Sequence, residues 1–142
     1  MTKLILISTV VLTFTSCTRN HATQDHSHSS DSKSRIELNG NERWEVNEEM
    51  MVHIDGIKVK IQQFDRANNR DYDDLGEALQ KGINALTSSC TMTGRAHDEL
   101  HKWLLPFIDH VNQLTEATDI EEKKRKFTQI RESMNEFDKY FK

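Results

Sequence analysis

The sequence predicts an all-α protein, an antiparallel up-down four-helix bundle that follows a signal peptide and a disordered tether. Three observations carry this. From Trp44 onward, apolar residues recur at steps of three and four in four separate blocks. The blocks are joined by short polar connections, which favour antiparallel neighbours. Only five Gly and one Pro interrupt the 142 residues, and no repeat of solenoid length is visible.

The chain opens MTKLILISTVVLTFTSC. Lys3 supplies a short positive start. Residues 4–14 form an apolar run of about eleven, too short for a bilayer, which takes roughly 20. Phe14-Thr15-Ser16-Cys17 then resembles the lipobox of bacterial lipoproteins, cut just before the cysteine with lipid attached to its thiol. Phe stands where Leu is commoner. The expectation is a lipoprotein signal peptide over residues 1–16 and acylation of Cys17. The alternative is an ordinary secretory signal cut nearby. A lipoprotein's several acyl chains suffice for stable anchoring. The lipid bilayer is then a partner, and the place is the bacterial cell envelope, at the outer membrane facing the periplasm.

Of the two cysteines, Cys17 is used by lipid, and Cys90 has no intramolecular partner. An unpaired Cys in an exported protein must be buried, bound to something, or paired between chains. Loss of residues 1–16 removes one positive charge, Lys3, so the net charge of −4 becomes −5. That balance argues against nucleic acid as partner.

Residues 17–43 read as a flexible polar tether. His21, His26 and His28 lie in it, either as a small metal-binding tract or as solvated filler. Residues 44–142 hold the bundle. In the first helix Val46, Met50, Ile54, Ile57, Ile61 and Phe64 form the apolar stripe. Asn47 is its N-cap, Glu48 and Glu49 suit its dipole, and Asn68-Asn69 ends it. The second runs from about Asp71, with Tyr72, Leu75, Leu79, Ile83, Leu86 and Cys90 on one stripe. Gly94 marks the break. The third carries His97, Leu100, Leu104, Phe107, Val111 and Leu114. Pro106 inside it predicts a kink or a late start. Thr118-Asp119-Ile120-Glu121 fits a capping box and opens the fourth, striped by Ile120, Phe127, Ile130, Met134, Phe137 and Phe141.

Up-down topology gathers Trp44, Met50, Met51 and His53 with Cys90, Met92, His97 and His101 at one end. Histidines at i and i+4 share one helix face and can hold one ion. Thiolate, thioether and imidazole suit Cu(I); thiolate with imidazole also suits Zn(II). Cys90, Met92, His97 and His101, with His53 as an outside candidate, are therefore the predicted metal ligands, for copper before zinc. The bland alternative is a core cysteine, a histidine bonded to a loop carbonyl and a surface histidine. His97-Asp98-Glu99-Leu100-His101 resembles the zinc-protease HExxH helix, but Asp stands where its Glu should be and Leu104 occupies the place of the metzincin Gly. No enzyme is expected.

Two longer segments, Arg43-Trp44-Glu45-Val46-Asn47-Glu48-Glu49-Met50 and SCTMTGRAHDELHKWL from Ser89 to Leu104, resemble a group of small lipoproteins of Gram-negative bacteria of the Bacteroidota type. That likeness spans nearly the whole mature chain. Cys90, Met92 and the helix pattern also resemble helical domains that accompany periplasmic copper and silver efflux adaptors, which implies a metal cargo and an envelope or efflux protein as partner. The second functional reading is an interaction module without metal, docking an envelope protein through Trp44, Trp103 and the loop surface.

Overall fold

A computed structural model describes residues 35–142. The expected signal peptide, Cys17 and the tether histidines His21, His26 and His28 lie outside the described residues. Four α-helices follow in order: α1 (Glu48–Arg66), α2 (Tyr72–Ser88), α3 (Gly94–Glu116) and α4 (Ile120–Tyr140). Among the described residues there is no strand; two isolated bridges join Asn39 to Glu42 and Trp44 to Phe141. No helix of the described residues is long and apolar enough to cross a membrane.

Helices α1, α2 and α4 start where a side chain satisfies some of their unpaired N–H groups, whereas Thr93 before α3 makes no such bond. Asn47 accepts from the Met50 N–H, Asp71 from Asp73 and Asp74, and Asp119 from Glu121 and Glu122. The cap of α4 is thus Asp119, one residue after the Thr118 of the expected capping box. A carboxylate there accepts two N–H groups at once and also faces the positive end of the dipole. Helix α3 starts at Gly94, whose φ of +71° suits glycine. A late start forced by Pro106 is therefore excluded: α3 runs through it, although Pro106 has no N–H to donate to the Lys102 carbonyl.

The helices pack in chain order, α1 on α2, α2 on α3 and α3 on α4. Longer side chains close α4 onto α1. The Phe64 and Phe127 rings lie 4.8 Å apart, and Lys58 Nζ reaches Asp138 at 2.6 Å. Alternating direction follows from the partners. Early α1 meets the end of α2 through His53 and Ser89. Late α1 meets the start of α2 through Phe64 and Tyr72. Trp103 in the first half of α3 donates to the Ser133 carbonyl in the second half of α4.

The stripes read from the sequence form the core, and Trp103 joins them. Burying such a side chain contributes roughly 1.5–3 kcal/mol, against about 0–1 kcal/mol for an exposed ion pair. The core therefore decides the fold, and pairs such as Lys124–Glu121 decorate it. Ile120 departs from the expected stripe. It is 52% exposed, at the first residue of α4 and two turns before buried Phe127. Glycine permits close approach at two helix contacts. A Cβ on Gly76 would stand 2.6 Å from Thr115 Cγ2, and one on Gly82 2.7 Å from Ile57 Cγ1.

The domain begins earlier than the expected boundary at Trp44. Ile36 is in the core cluster. Residues 35–46 form a strap across α3 and the end of α4, turned at residues 39–42 by Gly40 with φ +66°. Its second half pairs with the C-terminus: Trp44 N–H donates to the Tyr140 carbonyl at 2.7 Å, and Lys142 N–H to the Trp44 carbonyl at 2.9 Å. The polar composition of residues 35–43 concealed this, because backbone groups of Arg35 and Glu37 and single side chains such as Ile36 and Arg43 make the contacts, with no apolar stripe.

Candidate metal site

The end of the bundle that receives the strap also carries the predicted ligands. His53 Nε2 lies 3.0 Å from Ser89 Oγ, and the Asn47 amide donates to Thr91 Oγ1 at 2.6 Å. These two contacts hold the α2–α3 connection against the first turns of α1. Cys90 sits in that connection, two residues past the end of α2. It does not continue the α2 stripe as the sequence suggested, because the helix stops at Ser88. It is nonetheless half-buried and packed against the core edge, as are Met92 and Met51.

His97 and His101 occupy successive turns of α3, and their rings approach to 4.1 Å between centroids, tilted by 46°. His97 is not on the core line; its side chain is 29% exposed. Its Nδ1 stands 3.7 Å from the Asp98 carboxylate, beyond hydrogen-bond reach. His53 is brought to Ser89 rather than to this pair. Among the described residues no three His, Cys, Asp or Glu side chains converge as a metal site would require. The donors share one end without forming a single closed cluster.

Glu99, between the two histidines in sequence, escaped the sequence reading. It is buried, 3% exposed. Its carboxylate accepts from the Glu37 N–H at 2.9 Å and from Lys102 Nζ at 2.7 Å. Burial alone would raise its pKa. The hydrogen bonds from Lys102 and Glu37, with the charges of Lys102 and Arg95, outweigh that and hold it below the ordinary glutamate value. The clue was Lys102 at i+3, a helical ion-pair spacing. Glu99 is committed to the strap, so it is no base for a protease-like reaction at the histidines.

Around the strap, Arg95 pairs with Glu37 at 2.7 Å and lies over Trp44, whose indole donates to the Glu37 carbonyl at 2.6 Å. Trp44 and Trp103 are both buried and hydrogen-bonded. This burial leaves little of either indole for the docking role that the second functional reading gave them. A groove of about 550 Å³ lies between the strap, α3 and α4, lined by Arg35, Lys102, Pro106, Glu132, Glu136 and Lys139 among others, and the histidine pair is not part of its wall.

Compared with protein-family models, curated proteins and solved structures, the chain matches none.

Proposed function

We propose that this protein is a lipid-anchored lipoprotein of the bacterial envelope, facing the periplasm, that binds or buffers a transition metal, copper before zinc. The observation that carries the reading is the His97–His101 contact, two imidazoles within 4.1 Å on one half-exposed helix face. Imidazole suits copper and zinc alike. The preference for copper rests on the soft donors at the same end, Cys90, Met92 and Met51, all half-buried at the core edge. Thiolate and thioether select Cu(I) over harder ions. The donor set therefore fits the cargo chemically. The anchor rests on the sequence around Cys17 alone.

The test is thermal unfolding of the reduced protein with and without Cu(I) or Zn(II), for the natural sequence and for His97→Ala, His101→Ala and Cys90→Ser. Metal bound to the native state raises the melting temperature by mass action. The expected result is a metal-dependent rise that His97→Ala and His101→Ala abolish. Reduction of the copper shift alone by Cys90→Ser would place the thiol in the copper site. No shift for the natural sequence, or an undiminished shift in both histidine variants, overturns the reading.

A further inference from the structure

We infer that the His97–His101 pair is half of a metal site, and that the same pair on a second copy of this chain completes it. This rests on the proposed metal binding and adds its stoichiometry and its partner. Zn(II) in a closed site takes four ligands, and Cu(II) takes four nitrogen or oxygen donors in a tetragonal plane. One chain offers two imidazoles here, from successive turns of α3 with ring centroids 4.1 Å apart. Among the described residues no third His, Cys, Asp or Glu converges on them. Two copies supply four imidazoles, and a two-fold axis through the ion makes the halves equivalent.

The surroundings of the pair suit such a contact. The His97 side chain is 29% exposed, so part of it is open to a neighbour. One turn beyond His101, Leu105 is 59% exposed, and Ile108, a further turn on, is only partly buried. The chelating pair thus continues into an apolar ridge along α3. In a symmetric dimer the ridge of each copy meets that of the other, or flanks it, so the ion is joined by apolar burial. The ridge alone is small. The ion must supply most of the association, and dimerisation should therefore depend on it.

The experiment uses the chain from residue 17 with Cys17→Ser, which leaves out the lipid and retains the tether with its histidines. Zn(II) and Cu(II) are titrated calorimetrically, and mass is followed by light scattering. The expected result is about 0.5 ions per chain, a doubling of mass with metal, and return to monomer with EDTA. His101→Ala should stay monomeric at metal concentrations that dimerise the natural sequence. Leu105→Glu should still bind the ion but dimerise at least tenfold more weakly. One ion per chain on a monomer overturns the inference, whether tether histidines or Cys90 complete the site, and leaves the proposed metal binding intact. A metal-independent dimer, or equal dimerisation of His101→Ala, also overturns it. Absence of any bound Zn(II) or Cu(II) also overturns the inference, and Cu(I) binding then stands or falls on the thermal-unfolding test.

Discussion

The backbone N–H of Glu37 donates to Oε2 of Glu99 at 2.9 Å, joining positions 62 residues apart in the chain. The contact fixes the strap on the first turns of α3, behind the face that carries the histidine pair. A buried carboxylate is costly unless it is paired and fully hydrogen-bonded. Here Lys102 supplies the opposite charge and the strap supplies a backbone donor. The strap therefore satisfies Glu99, and Glu99 holds the strap.

Stability should depend on pH through Glu99. Its folded-state pKa lies below the ordinary 4.5. A depressed carboxylate contributes stability that is fully present above the unfolded value and is lost as pH falls through the folded one. Glu99→Gln should cost about 1.5–3 kcal/mol at neutral pH, the range for hydrogen bonds to a charged group. The difference between the variant and the natural sequence should shrink as pH drops below 4.5. Urea unfolding at neutral and acid pH checks this; a pH-independent difference would remove the ionised Glu99 from the account.

Removal of the strap should cost more than its polar sequence suggests. Deleting residues up to 43 strips Ile36 from the core and takes the Glu37 carbonyl from the Trp44 indole. Trp44→Ala in the full chain should cost about 3–5 kcal/mol, as for other buried aromatic truncations. Both changes should lower the urea midpoint. An unchanged midpoint after the deletion would return residues 35–43 to the tether.

Gly82 is a spacing residue between α1 and α2. Its Cβ would meet Ile57 Cγ1 at 2.7 Å. Gly82→Ala gains up to about 1 kcal/mol of helix propensity and loses about 1–3 kcal/mol to overpacking. The net expectation is destabilisation by about 1 kcal/mol. Ile57→Ala, which removes Cγ1 along with the rest of the side chain beyond Cβ, should make Gly82→Ala cost less than it does beside Ile57. Additive costs in the double-mutant cycle would refute the contact.

The start of α4 separates two adjacent residues. Asp119→Ala removes the acceptor for two N–H groups and should cost about 1 kcal/mol. Thr118→Ala should stay within about 0.5 kcal/mol, as for an exposed substitution away from any cap. Chemical denaturation of both variants decides between Asp119 and the Thr118 of the capping-box pattern.

Periodicity determined the bundle by itself, because a helix that buries one stripe must place apolar residues every three or four positions. The stripes from Met50 to Phe64, Tyr72 to Leu86, Leu100 to Leu114 and Phe127 to Phe137 needed no tertiary information. The cap at Asn47 was equally local. Up-down order followed from connection length, and with it the gathering of His53, Cys90 and His97 at one end. What periodicity could not determine was anything made between distant segments by backbone groups or by single polar side chains. Ile36 is one apolar residue in a polar run, and only the packed α3 surface gives it a place. Glu99 reads as a surface charge until the strap covers it. Trp44 and Trp103 read equally well as docking residues or as core, and their indole N–H groups found carbonyls that no local pattern reveals. The same limit holds among the proposed metal ligands: i, i+4 spacing sufficed to bring His97 to His101, whereas the position of Cys90 depended on where α2 stopped and how the following connection was tied to α1.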